Sequence, residues 1–103
     1  MLFNASTPLI DRFGKTFIEK HRDGEEITIT LGIVVVRTID LILPEDKDIK
    51  AEDMRKRDIL ACKCMSQKEV ELTAKEVAFL QYRVCNFGAN IAGQLIKALE
   101  KGE

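Results

Sequence analysis

The last third of the chain carries the strongest structural signal in the sequence, a helix start followed by a long apolar stripe. Thr73 is a favourable N-cap residue and Glu76 lies three positions later, so each side chain can accept a hydrogen bond from the backbone N–H of the other residue. Apolar residues follow at helical spacing: Val77, Leu80, Val84, Phe87 and Ile91. We expect helices over residues 74–86 and 89–100, separated where Gly88 can adopt a left-handed C-cap.

Length and composition are those of a soluble protein with one domain. A chain of 103 residues can bury one modest core, and its 46% apolar and 32% charged residues are typical of globular proteins. Sixteen basic residues against seventeen acidic ones give a net charge of −1, which argues against broad electrostatic binding to nucleic acid or anionic membranes. The longest apolar run, Ile33 to Val36, is too short to span a membrane, and the first residues lack the basic and apolar regions of a signal peptide. We therefore expect a cytoplasmic protein.

The N-terminal third has the pattern of a β-hairpin. Asp11 to Gly14 and Asp23-Gly24 have the chemistry of turns, and residues 26–30 alternate polar and apolar as a half-buried strand does. We predict that residues 15–20 pair with residues 26–30, and that residues 1–7 form a loosely held start. Because a lone hairpin is marginally stable in water, this hairpin is expected to pack on helices.

The segment from Leu31 to Leu43 fits two conformations. Its many β-branched residues favour a strand. Helical spacing instead gathers apolar residues on one face and leaves Arg37 and Asp40 on the other: Leu31, Val34, Val35, Ile39 and Ile42. Thirteen residues is long for a strand and ordinary for a helix. We therefore prefer a helix capped by Thr30 and ended by Pro44.

A second helix is predicted from Lys50 to Met65. Its buried side is expected to hold Met54, Ile59, Leu60, Ala61, Cys62 and Met65. Its basic run supplies candidate phosphate contacts: Arg55, Lys56 and Arg57. Neighbouring acidic residues largely neutralise this run, and aromatic residues for base stacking are scarce nearby. A solvated helix face is the simpler interpretation of these charges.

These elements predict an α+β fold, with a single domain over residues 1–103 in which an N-terminal β-hairpin packs on three or four α-helices. The helix after Thr30 carries more apolar surface than such a small fold readily covers. Either the monomer buries both sides of this helix, or the hairpin covers only the side of Val35, Ile39 and Ile42 and the other side needs a partner. The candidate partner surface, and the predicted seam of a homodimer, is Ile33, Val36, Arg37 and Asp40.

The cysteines do not form a recognisable metal or catalytic motif. Cys62 and Cys64 are separated by one residue, unlike the usual zinc knuckle, and the single His21 lies about forty residues away in a predicted exposed turn. A thiol nucleophile needs a base within hydrogen-bond reach, which this placement does not provide. We expect Cys62, Cys64 and Cys85 to be free thiols in a reducing compartment, with no metal, no cofactor and no catalytic residue.

Several motifs extend over nearly the whole chain. They are the opening Pro-Leu-Ile-Asp-x-x-Gly-Lys, a Thr-Leu-Gly segment, the helix Met-Arg-Lys-Arg-Asp-Ile-Leu-Ala-Cys-Lys, the run Val-Glu-Leu-Thr-Ala-Lys-Glu-Val-Ala-Phe-Leu and the ending Ala-Gly-Gln-Leu-Ile-Lys-Ala-Leu-Glu. In this layout the chain resembles the small proteins that tailed bacteriophages and prophages encode, most of which have no assigned function. The resemblance implies a phage origin and a mostly helical fold. It carries over no catalytic residue.

The function expected from these observations is that of a non-enzymatic accessory protein. It would act by binding a protein, either a second copy of itself, a host protein or another phage protein, in host interaction, regulation or assembly. It would work in the cytoplasm of the bacterial host, without a membrane partner. The alternative is a small nucleic-acid-binding regulatory protein that uses the basic run of the second predicted helix.

Overall fold

Four helices and four short strands make up the part of the chain that the structure, a computed structural model, describes: the backbone of residues 1–101 and the side chains of residues 1–100. In chain order the elements are β1 (Leu2–Asn4), β2 (Ile18–Lys20), β3 (Glu26–Thr28), α1 (Leu31–Ile39), α2 (Ala51–Ser66), β4 (Glu69–Glu71), α3 (Ala74–Val84) and α4 (Ala89–Lys101). This is the predicted α+β architecture, with the hairpin before the helices. Over residues 1–101, no helix combines the length and the apolar content needed to cross a membrane.

The predicted hairpin is confirmed, with shorter strands than expected. β2 and β3 are antiparallel, and Glu19 lies opposite Ile27. Gly24 closes the hairpin turn with a φ of +87°, a left-handed value that favours glycine. Residues 8–10 run alongside the hairpin, because the Leu9 N–H donates to the Ile29 carbonyl and the Phe17 N–H donates to the Leu9 carbonyl, both at 2.8 Å. Leu9 and Ile29 are buried and join the hairpin to the core.

The first residues are not loosely held, contrary to the prediction. β1 pairs antiparallel with β4, which places Phe3 opposite Val70, and both of these side chains are buried. The amino group of Met1 donates to the Leu72 carbonyl at 3.1 Å and to Glu71 Oε1 at 2.9 Å. Each strand has three residues and one inward side chain, so neither is long enough to display an alternating pattern in the sequence.

The segment after Thr30 is helical, as preferred over the strand, but it ends early. The Thr30 hydroxyl accepts from the Ile33 N–H at 3.3 Å and caps α1 as predicted. α1 stops at Ile39 rather than at Leu43. After it, Leu41 and Leu43 are half-buried while Ile42 is 93% exposed, an alternation that belongs to extended backbone.

α1 is the central element and packs against α2, α3 and α4. Its closest approach is at Gly32, where an added Cβ would lie 2.8 Å from the Ala5 carbonyl oxygen and 2.9 Å from that of Cys64. α2 has the predicted length within one residue at each end, and its predicted buried side is confirmed for Leu60 and Ala61 but wrong for the other four residues. Leu60, Ala61 and Cys64 face the core, whereas the larger apolar side chains of this helix are exposed: Met54, Ile59 and Met65, together with Cys62.

α3 begins with the predicted capping box. The Thr73 hydroxyl accepts from the Glu76 N–H at 3.1 Å, and the Glu76 carboxylate accepts from the Thr73 N–H at 2.8 Å. The predicted C-cap is wrong, because Gly88 does not have a positive φ. Its carbonyl instead accepts from the Ala92 N–H at 3.0 Å, so Gly88 belongs to the start of α4.

Candidate binding surface

The predicted dimer seam is covered by the protein itself. Ile33 and Val36 are half-buried and pack against the core. Arg37 donates through both terminal nitrogens to the Glu19 carboxylate on β2, at 2.8 and 2.9 Å, and these hydrogen bonds lower the pKa of Glu19. The hairpin therefore reaches the Arg37 side of α1, not the Ile42 side, which corrects the prediction. Of the four predicted residues, Arg37 and Asp40 remain exposed, with Arg37 paired to Glu19 and Asp40 lining an open concave surface.

The basic run of α2 is also divided by the fold. Arg55 and Lys56 are exposed, and Lys56 pairs loosely with Glu52 at 3.5 Å. Arg57 turns inward, where its Nη1 donates to Asp46 Oδ1 at 2.8 Å and its guanidinium lies 4.8 Å from the centre of the Phe79 ring. Arg57 is thus a structural residue, and the three predicted phosphate contacts do not form one surface.

The cysteines and His21 lie apart. Cys64 is buried beneath α1, and this burial raises the pKa of its thiol to about 11, while Cys62 and Cys85 are exposed. His21 lies beside Glu19 on the hairpin, with 3.1 Å between His21 Nε2 and Glu19 Oε1. Among the described residues, no three His, Cys, Asp or Glu side chains are grouped in a way that could hold a metal ion.

A buried charged cluster, which the sequence analysis did not identify, holds the connector between α1 and α2. Asp46 Oδ1 accepts from Arg57 at 2.8 Å and from Arg83 at 3.0 Å, and Asp46 Oδ2 accepts from the Leu43 N–H at 3.0 Å. The hydrogen bond from Arg57 is the largest cause that lowers the pKa of Asp46 to about 2. Asp46 is therefore ionised and fully engaged with its neighbours.

Arg83 is the largest fully buried side chain of the described residues. Its Nε donates to the Thr38 carbonyl at 3.3 Å and its Nη2 donates to the Leu41 carbonyl at 2.5 Å. Carbonyls at a helix C-terminus lack hydrogen-bond donors within the helix, and the N–H groups of a cationic side chain can supply those donors. Its guanidinium also lies 5.1 Å from the centre of the Phe79 ring. Arg83 thus joins the end of α1 to α3. A signal was present in the sequence, because Arg83 lies three residues after Leu80 and therefore borders the apolar stripe of α3.

A groove lies between α2 and α3. Both helices pack on α1, but they make little contact with each other. The resulting space has a volume of ≈ 580 Å³. Its apolar lining is Ile49, Ile59, Leu60 and Phe79, and its charged lining is Lys56, Arg57, Lys63 and Lys75 with Asp53 and Glu76. Because Arg57 is paired with Asp46, three lysines against two carboxylates make this space electropositive, and we call it the basic groove.

A second concave surface lies on the other flank of α2, next to the connector, with a volume of ≈ 550 Å³. Its apolar lining is Ile39, Leu41, Ile42 and Met54, and its charged lining is Asp40, Asp46 and Asp58 with Arg57. Because Asp46 is neutralised by Arg57 and Arg83, the negative charge of this surface comes from Asp40 and Asp58, and we call it the acidic patch. Arg57 reaches both surfaces because it passes beneath α2 toward Asp46.

Comparisons with protein-family models, with curated proteins and with solved structures found no match to this chain. Its function is therefore inferred from the chemistry of its own surfaces.

Proposed function

We propose that this chain is a non-enzymatic, phage-encoded accessory protein that acts by binding a protein partner in the basic groove. The observation that carries the proposal is the groove itself, which has an apolar floor and a cationic rim between two helices held on one central helix. An amphipathic segment lies in such a groove with its apolar side chains on the floor and its acidic side chains at the rim. The long stems of lysine add apolar contact while their ammonium groups stay in water.

The alternative of a nucleic-acid-binding protein is less favoured by the geometry. Arg57 is committed to Asp46, and carboxylates of Asp53 and Glu76 interrupt the remaining cationic rim. Stacking of a base requires an accessible aromatic face. The guanidinium groups of Arg57 and Arg83 already lie over the ring of Phe79, the aromatic side chain of the groove.

The shifted acids and thiol favour binding over catalysis. Glu19 is paired with Arg37, Asp46 is enclosed by Arg57 and Arg83, and the Cys64 thiol is buried with a raised pKa. Active sites hold such groups in a cleft, where they meet substrate. Here each of them stabilises the fold instead, which supports a role without chemistry.

The phage assignment within this proposal is supported by the motifs of the opening, of α2 and of the C-terminal third. They resemble those of small phage and prophage proteins. A protein of this kind would meet its partner in the cytoplasm of the bacterial host. Its role would be in host interaction, regulation or assembly.

The experiment compares capture of partners by three immobilised proteins from lysate of bacteria that also express the untagged chain, with and without nuclease treatment. The groove variant carries Lys63→Glu and Lys75→Glu at the rim. The matched control carries Lys15→Glu and Lys20→Glu on the exposed hairpin region, which gives the same change of charge. We expect one protein to be retained by the wild type and the control and to be lost by the groove variant.

Two results would contradict the proposal. Equal capture by the groove variant would remove the groove as the binding site. Retention that needs nucleic acid and weakens by orders of magnitude between about 50 and 200 mM salt would support the nucleic-acid alternative, because phosphate contacts have that salt dependence.

A further inference from the structure

We infer that the occupant of the basic groove is the acidic patch of a second copy of this chain. This inference rests on the proposed function, because it names the partner of the same groove. The contact is head-to-tail: one copy contributes the acidic patch beside its connector, and the next copy contributes the basic groove between its α2 and α3. Three features of the molecule support such a contact: an exposed apolar anchor, complementary charge and the positions of the two surfaces.

The anchor is Ile42. It is 93% exposed, and hydrogen bonds to side chains order the backbone on both sides of it. On one side Arg83 Nη2 donates to the Leu41 carbonyl, and on the other side the Leu43 N–H donates to Asp46 Oδ2 at 3.0 Å. The protein thus presents an exposed isoleucine on an ordered segment. A backbone segment that is already ordered loses little conformational entropy when it is bound.

Charge and chemistry match across the two surfaces. Each is lined by four apolar side chains, so one apolar area can cover the other. Apart from the mutually paired Asp46, Arg57 and Arg83, the charged lining of the acidic patch is two carboxylates, and that of the basic groove is three lysines and two carboxylates. Asp40 and Asp58 of one copy would face Lys63 and Lys75 of the next. Opposite potentials of this kind align two partners and disfavour the patch–patch and groove–groove pairings.

The positions of the surfaces determine the symmetry. A helix turns by about 100° per residue, which puts Met54 and Asp58 on one flank of α2 and Ile59 and Lys63 on the other. One copy cannot fold its own patch into its own groove, since α2 separates them. A contact between two different surfaces is heterologous and leaves one patch and one groove free on every dimer. Association therefore continues beyond two copies, into rings or open chains.

The test measures molar mass by light scattering and sedimentation as protein concentration rises. We expect the wild type to exceed the mass of a dimer. The anchor variant, Ile42→Ser with Met54→Ser, removes two exposed apolar side chains and should stay monomeric. The groove variant, Lys63→Glu with Lys75→Glu, should also stay monomeric. Ile18→Ser, on the exposed hairpin, is the control and should associate like the wild type. Circular dichroism verifies that every variant is folded.

Mixing the two monomeric variants is the decisive step. The intact patch of the groove variant fits the intact groove of the anchor variant, while the reciprocal contact is missing from both. We expect a one-to-one heterodimer that does not grow further. A wild type that stays monomeric at every concentration, or two variants that remain monomers after mixing, would overturn the inference. In that case, capture of another protein from the lysate that still requires Lys63 and Lys75 would leave the proposed function in place. Only the identity of the protein in the basic groove would then be wrong.

Discussion

Asp46 links the stability of the protein to pH. Its pKa falls from 3.8 to about 2 on folding, so above pH 4 the ionised carboxylate stabilises the folded state. As the pH falls from about 4 to about 2, Asp46 takes up a proton more readily in the unfolded chain than in the folded one. The stability that the carboxylate contributes is therefore lost over this window. We expect Asp46→Asn to lower the free energy of unfolding at neutral pH by on the order of 2 kcal/mol.

Urea unfolding at several pH values checks this prediction. Between about pH 4 and pH 2, the stability of the wild type should fall more steeply than that of Asp46→Asn, because the variant has no carboxylate at this position. Glu19 is present in both proteins, so the difference between the two curves reports Asp46. Parallel curves would show that Asp46 is not the group responsible.

Arg83 and Arg55 have the same side chain in opposite surroundings. Arg83→Met would leave the Asp46 carboxylate and the carbonyls of Thr38 and Leu41 short of a buried donor. Breaking a buried charge pair in this way costs about 3–5 kcal/mol. Arg55→Met, at an exposed position of α2, should change stability by less than about 0.5 kcal/mol. Equal effects in urea unfolding would contradict the central role of Arg83.

At the scale of elements, two helical glycines are expected to respond in opposite ways to alanine. Gly32→Ala puts a Cβ within 2.9 Å of backbone atoms of Ala5 and Cys64, so α1 and α2 must move apart. Gly93→Ala, inside α4, meets nothing within 4 Å and should gain about 0.5–1 kcal/mol of helix stability. Thermal unfolding should move down for the first and up for the second. A stabilised Gly32→Ala would show that the two helices do not cross at this point.

Helices were the predictable elements, because period and capping are local properties. Thr73 and Glu76 define the start of α3 in sequence and in structure alike. The end of α1 was less predictable. It depends on Arg83, more than forty residues away, whose guanidinium takes the carbonyls of Thr38 and Leu41 as the chain leaves the helix. β1 and β4 were missed because three residues with one inward side chain carry no periodic signal.

At the scale of the whole molecule, the binding surfaces could not be derived from the sequence. The helix α2 has apolar residues on several sides, so its pattern alone does not determine which side is buried. The small residues Gly32, Ala61 and Cys64 bring α1 and α2 together, which leaves Met54 and Ile59 outside. The basic run likewise predicted one continuous cationic face. Arg57 does not belong to such a face, because it turns inward to pair with Asp46.

Photo-crosslinking in living bacteria tests most directly whether this protein binds its partner in the basic groove. A photoreactive amino acid replaces Ile59 in the groove or, as the control, Ile18 on the hairpin; these side chains are 51% and 54% exposed. We expect one discrete protein adduct from position 59 and none of that mass from position 18. The same adduct from both positions, or no adduct from position 59, would show that the basic groove is not the binding site.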